Sequence, residues 1–146
     1  MPSTKPFLLI NADIVTDLRF TQLLQFHQRL RPAATVAACR HRVHVDFGVV
    51  ECEADGRLQD FKEKPDYDLW VNMGIYCLDP RACDFVSAGE RISMPDLLLR
   101  LRDAGENVLC YRADCSWRDI GRVEDYTQAN KEFAMRDERT HWQRAA

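Results

Sequence analysis

The sequence predicts an α/β domain built on a mixed sheet, and three observations carry that expectation. An apolar run, an amphipathic helical stretch and a small-residue strand follow one another near the N-terminus, which is the β-α-β order of a layered sheet. An Asp55-Gly56 turn between two strand-like segments is a hairpin signal and brings antiparallel pairing into the sheet. Finally, 146 residues of which 46% are apolar and 29% charged, with only 6 Gly and 6 Pro, suffice for one sizeable core and exclude a disordered or low-complexity chain. A single domain over 1–146 is expected, without repeat or linker.

Phe7-Leu8-Leu9-Ile10 is a continuous apolar run ending in Asn11-Ala12-Asp13, and it reads as a strand buried on both faces with a neighbour on each side. Phe20, Leu23, Leu24 and His27 then recur at the spacing of one helix face, with Thr16 or Asp17 as the cap. His27 falls on the apolar side, as a hydrogen-bonded histidine under the sheet. Pro32 stops the helix, and Ala34 to Cys39 supplies the next strand. Phe47 to Glu51 and Arg57 to Phe61 flank the hairpin turn, and Trp70 to Leu78 is a further strand. Pro80 to Val86 reads as a short helix, and Ser93-Met94-Pro95-Asp96 is a capping box before Leu97, Leu98 and Leu101. Asn107 to Tyr111 is the last strand. Val123 to about Arg136 forms a closing helix in which Tyr126, Ala129 and Phe133 share one side.

A formal charge of -3 argues against binding a nucleic-acid backbone by bulk charge. Arg40-His41-Arg42 with His44 is too short to make such a face and reads as solvated strand-end charge. No apolar run is long enough to span a bilayer, and the N-terminus lacks the features of a signal peptide, so a cytoplasmic protein with a genuine start at Met1 is expected. The six cysteines, at 39, 52, 77, 83, 110 and 115, sit mostly within apolar runs and read as buried small hydrophobes. They lack the closely spaced pairs that a zinc site requires.

Four segments place polar residues at strand ends, where open α/β sheets bind ligands. Asp13 in Asn11-Ala12-Asp13 either holds a divalent cation or caps the following turn. Glu63-Lys64-Pro65 sets an acceptor and a cation side by side before a rigid bend, or simply presents two solvated charges. Asn72-Met73-Gly74 breaks an apolar strand, which marks either the close approach of a ligand or a bulge. Asp119 in Trp117-Arg118-Asp119-Ile120-Gly121 needs a partner, and Arg118 and Arg122 are available to neutralise it.

The order of these segments resembles the sugar-1-phosphate nucleotidyltransferase family. That family shows a strand ending in Asn-Gly-Asp, a helix with a His, a Thr-Val strand, a Tyr-Gly-Val-Val hairpin, Glu-Lys-Pro, Asn-x-Gly-Ile-Tyr and Trp-x-Asp-Ile-Gly. Here stand Asn11-Ala12-Asp13, His27, Thr35-Val36, Phe47-Gly48-Val49-Val50, Glu63-Lys64-Pro65, Asn72-Met73-Gly74-Ile75-Tyr76 and Trp117-Arg118-Asp119-Ile120-Gly121, followed by Glu124-Asp125-Tyr126 and Ala129-Asn130. The likeness runs from Phe7 to Phe133 and is greatest to the bacterial branch that includes mannose-1-phosphate guanylyltransferases. It implies a three-layer αβα arrangement with a mixed, mainly parallel sheet, a truncated form of the nucleotide-diphospho-sugar transferase fold. It also implies transfer of a nucleoside monophosphate to a sugar 1-phosphate. On this resemblance Asp13 and Asp119 would hold Mg²⁺, Lys64 would hold the sugar phosphate, Glu63, Asn72 and Gly48 would contact the sugar, and Gly74 would let the backbone approach.

The family also carries a Gly-x-Gly-Thr-Arg segment and a following Pro-Lys that hold the triphosphate and supply the main catalytic Arg and Lys, and neither is in this sequence. The six glycines, at 48, 56, 74, 89, 105 and 121, cannot assemble such a loop. The chain thus resembles the second half of the enzyme, with no complete catalytic set. Ala12 replaces the Gly usual beside the metal-binding Asp, Phe47 a common Tyr and Val123 a common Pro. In the family the missing strands pair beside Phe7 to Ile10, so a homodimer or higher oligomer covering that edge is expected. Three functions follow from this: a transferase completed by a separate chain, a binding module for sugar phosphate or nucleotide sugar, and a non-catalytic self-associating structural or interaction protein.

Overall fold

The computed structural model describes residues 5–121, so the expected closing helix over Val123 to Arg136 lies outside the described residues. The strands are β1 (Phe7–Ile10), β2 (Ile14–Thr16), β3 (Ala34–His44), β4 (Val49–Cys52), β5 (Leu58–Lys62), β6 (Asp66–Leu78), β7 (Val108–Ala113) and β8 (Trp117–Asp119). Helix α1 spans Phe20–Leu30, α2 spans Met94–Asp103, and a 3₁₀ helix covers Pro80–Phe85. The main sheet has the order β1-β6-β3-β7, while β2-β8 and β4-β5 are separate two-stranded pairs.

Both β1 and β3 run antiparallel to β6, and β7 runs parallel to β3. Strands β1, β3 and β7 therefore point the same way, as a mainly parallel sheet requires, but only the β3–β7 ladder is itself parallel. The Asp55-Gly56 hairpin forms as expected, with Gly56 at φ 87, yet β4 and β5 stay out of the main sheet. Antiparallel character comes instead from the strands that flank the hairpin, because β3 runs out to His44 and β6 returns beside it from Asp66.

Each inner strand is apolar on both faces because both faces are covered. Met73, Ile75 and Cys77 of β6 pack with Ala37, Cys39 and Leu23 of α1 on one side. Tyr76 and Leu78, with Ala34 of β3, pack with Ala82 of the 3₁₀ helix and Leu97 and Leu101 of α2 on the other. This is the three-layer αβα arrangement, and each buried Leu contributes about 1.5–3 kcal/mol to it. Strand β1 is different: its side chains are half-buried, Ile10 is 44% exposed, and among the described residues β6 is its only neighbour. Among the described residues the strand lacks the second neighbour its apolar run calls for and forms the bare edge expected from the missing strands. No helix among the described residues is long and apolar enough to cross a membrane.

The capping box at Ser93 forms, its hydroxyl accepting from Asp96 N at 3.3 Å. Helix α1, by contrast, starts at Arg19 with no side-chain cap. The Thr16 hydroxyl donates to Ser116 O (2.7 Å) and accepts from Leu18 N (3.1 Å), and Asp17 Oδ1 accepts from Ser116 N (2.7 Å), so both expected caps are committed to the β2–β8 crossing. All six cysteines are free, but only Cys39 and Cys77 are buried; Cys52, Cys83 and Cys110 are exposed. The apolar runs misplaced these three, whose side chains lie on faces that the described residues leave uncovered. The Arg40–His44 charges are exposed as expected, with Arg42 and His44 bonded to Asp68 and Asp66 across the β3–β6 ladder.

His27 is fully buried, and its Nδ1 lies 2.9 Å from Thr35 Oγ1 on β3. Burial pushes the imidazole below its ordinary value of 6.5; nearby Asp79 opposes this and Arg81 adds to it. The unfolded chain then binds the proton more tightly than the folded one, so stability rises with pH from the lowered folded value up to 6.5 and is fully present above it. Urea titrations across this window should show that slope in the wild type and its loss in His27→Gln. Equal slopes in the two proteins would contradict the assignment.

Candidate functional site

The end of β1 and the β2–β8 pair bring the first and last sequence motifs together. Asn11 N donates to Gly74 O (2.9 Å), which extends the β1–β6 pairing one residue past Ile10. Strand β2 then turns away and pairs with β8, placing Ile14 opposite Asp119, and Ile120 N donates to Asp13 O at 2.8 Å. Trp117 Nε1 donates to Met73 O (2.9 Å), fastening β8 to β6. The Asp13 and Asp119 carboxylates consequently converge. A Cβ placed on Gly121 would lie 2.9 Å from Asp13 Oδ2 and 3.1 Å from Asp119 Oδ1.

Both aspartates are solvent-exposed, and Asp119 Oδ1 accepts a bond from Gly121 N at 2.8 Å. Asp13 caps no turn through its side chain among the described residues. Two convergent carboxylates are hard oxygen donors, and among the described residues no cluster of three or more His, Cys, Asp or Glu is placed to hold a metal. That donor set fits Mg²⁺, which takes one or two carboxylates and completes its shell with water and phosphate oxygens. It does not fit a closed structural site for zinc.

Asn72 and Gly74 lie beside this pair, and the strand break there is a bulge. The β3–β6 register jumps from Val36↔Tyr76 to Ala38↔Asn72, leaving Met73-Gly74-Ile75 opposite Ala37. Asn72 Oδ1 accepts from Gly74 N (2.9 Å) while its Nδ2 donates to the Tyr76 hydroxyl (2.7 Å). The carboxamide thus closes the bulge, and its exposed second N–H is what remains for a ligand.

Gly48, Glu63 and Lys64 form a second group at the other end of the β3–β6 ribbon. A Cβ on Gly48 would meet Phe61 Cζ at 2.6 Å and Glu63 Oε2 at 3.1 Å, so the Glu63 side chain lies against the glycine. Lys64 has φ 44, a left-handed backbone that is costly for a non-glycine residue and unusual before a proline. Pro65 O accepts from Val45 N (3.1 Å) and pins the bend. Glu63 and Lys64 are exposed, and among the described residues no hydrogen bond or ion pair joins this group to the Asp13–Asp119 pair.

Sequence reasoning missed a cavity of about 410 Å³ beside the β2–β8 crossing, whose polar walls include Asp17, Arg19, Gln22 and Asp114. Nothing in local spacing marks it, because the crossing joins residues about a hundred positions apart, as in the Asp17–Ser116 bond. Arg122, the other candidate partner of Asp119, lies outside the described residues.

The Nucleotidyl transferase family profile matches residues 1–136. The chain is 28% identical over 138 residues to a UTP–glucose-1-phosphate uridylyltransferase of Synechocystis sp., covering 90% of this chain and 36% of that protein. It is 27% identical over 128 residues to a mannose-1-phosphate guanyltransferase of Yarrowia lipolytica, covering 83% and 34%. Among solved structures, HddC from Yersinia pseudotuberculosis superposes with a TM-score of 0.61 at 19% identity, over 88% of this chain and 56% of that one. The chain therefore spans about a third of the length of these curated relatives and a little over half of the solved one.

Proposed function

The chain belongs to the Nucleotidyl transferase family, and on that premise we propose that it binds a sugar 1-phosphate or nucleotide sugar together with Mg²⁺. It carries out nucleotidyl transfer only when a partner chain supplies the triphosphate-binding half. The observation that carries this reading is the convergence of Asp13 and Asp119 at Gly121. A divalent cation held there neutralises phosphate oxygens that would otherwise repel both each other and the carboxylates. Lys64 holds the sugar phosphate through its ammonium group. Glu63, backed by Gly48, accepts from sugar hydroxyls, and Asn72 donates its remaining N–H. Gly74 does not open the strand to a ligand as expected, because it is buried and the space a Cβ would fill faces Asn11 and Ile14. The six free thiols suit a reducing cytoplasm.

The test is a thermal-shift titration of the chain with sugar 1-phosphates and nucleotide sugars, with and without Mg²⁺. Ligand at a hundred times its dissociation constant adds about 2.7 kcal/mol, a plainly visible rise in melting temperature. Glu63→Gln is expected to weaken the sugar response and leave its Mg²⁺ dependence intact. Absence of a shift with every ligand overturns the reading.

A second reading draws on the open edge of β1, whose outer backbone groups have no strand partner among the described residues. An apolar edge strand of this kind drives association, so a second copy covers it, and the chain is a homodimer or higher oligomer in either reading. In a purely structural self-associating protein, substitutions at Asp13 and Lys64 change nothing but the surface. A monodisperse monomer by light scattering at micromolar concentration would exclude the oligomer.

A further inference from the structure

A second cavity, of about 340 Å³, opens at the far end of α1 and is lined by Pro6, His27, Gln28, Arg31, Asp79 and Arg81. We propose that it is a binding site for a small phosphomonoester, held by Arg31, Gln28 and the Nε2 edge of His27. The proposal rests on which polar groups there are already satisfied. Arg81 is fully engaged: its Nε donates to Glu106 (3.3 Å), one terminal nitrogen donates to Arg31 O (3.0 Å), and the other faces Asp79 at 3.9 Å. Asp79 in turn accepts from Arg81 N at 3.1 Å. These two residues form a balanced wall.

The three α1 residues are not balanced. His27 and Gln28 are on the last turn of α1, and Arg31 is its C-cap, its N–H donating to His27 O. Neither the Arg31 guanidinium nor the Gln28 carboxamide has a hydrogen-bond or ionic partner among the described residues. His27 Nε2 is the single buried side-chain nitrogen or oxygen among them left without a partner. Leaving such a group unpaired is costly. With Nδ1 taken by Thr35, a neutral imidazole that accepts from the Thr35 hydroxyl presents Nε2–H as a donor. The Arg31 cation, the Gln28 carboxamide and, beneath them, the buried His27 imidazole line a cavity of small-ligand size, and their common complement is an oxyanion.

Backbone conformation points the same way. Arg31 ends α1 at φ 51 and ψ 44, the left-handed position that glycine or asparagine usually fills. An arginine there accepts a conformational cost, and the residue lines the cavity. The site lies on elements separate from Asp13, Asp119 and Lys64, and it stands or falls independently of the function proposed above.

The test is phosphate titration without Mg²⁺, followed by the backbone and imidazole ¹⁵N resonances of the full chain, with inorganic phosphate first and glycerol 3-phosphate second. Saturable shifts are expected at His27, Gln28 and Arg31, with the phosphomonoester the tighter ligand. Arg31→Gly should fold at least as well, since glycine relieves the left-handed strain, and should lose about tenfold or more in affinity. Lys64→Ala and Asp119→Asn should leave these shifts unchanged. Unsaturable shifts, equal affinity in Arg31→Gly, or loss in Lys64→Ala would each overturn the proposal.

Discussion

Gly74→Ala is expected to lower stability by about 2–5 kcal/mol, adding a left-handed-backbone cost of about 1–2 kcal/mol to an overpacking cost of about 1–3 kcal/mol. Gly74 sits at φ 69, and a Cβ there would lie 2.8 Å from both Asn11 Nδ2 and Ile14 Cδ1. Both contacts are side-chain ends, and they can turn aside only from backbones that are held in place. The Asn11 backbone donates to Gly74 O, and Ile14 is the ladder partner of Asp119. Turning them aside loosens the packing of Ile14 against the core beside the segment that presents Asp13. Gly56→Ala is the internal control, because Gly56 has φ 87 with nothing within 4 Å of its added Cβ. It should cost only the conformational part. Parallel urea unfolding of the two variants gives the steric part by difference; equal losses would show that the Gly74 contact is unimportant.

The same glycine shows where sequence reading succeeds. Gly74 interrupts an apolar strand, and that break alone signals a bulge or a close approach; the structure contains the bulge and pins it with Asn72. The hairpin, both helices and the two-sided β6 were legible because turn chemistry and periodicity are local. The pairing of β2 with β8 was not. Each is a three-residue strand, too short to show a period, and its partner lies about a hundred residues away. The α1 cap failed for a related reason: Thr16 and Asp17 have the right chemistry, but the remote Ser116 takes their bonds. Asp13 and Asp119 were named from a family resemblance, and only the long-range β2–β8 pairing explains why they face one another. The His27 cavity had no sequence signature, since an imidazole with one satisfied and one unsatisfied nitrogen looks the same on a helix face.

Asp119→Asn should abolish any Mg²⁺-dependent stabilisation by sugar phosphates or nucleotide sugars while leaving the fold intact. Asp119 is exposed at the end of β8, and Asn keeps the carbonyl that accepts from Gly121 N, so little native structure is lost. What disappears is the second negative charge of a two-carboxylate site, and an amide oxygen cannot replace it for a hard dication. Gly121→Ala separates charge from geometry. Its methyl group would lie within 3.1 Å of both carboxylates, whose flexible ends can move aside at small cost to folding, but they can no longer converge on one point. By comparison with groups that orient metal ligands, a tenfold to hundredfold loss in metal affinity is expected, roughly 1.4–2.7 kcal/mol. Calorimetric titration of Mg²⁺ in the presence of sugar phosphate measures both variants. If Gly121→Ala binds like the wild type while Asp119→Asn does not, Asp119 acts as a general negative charge. If neither changes, the convergent pair is not the metal site.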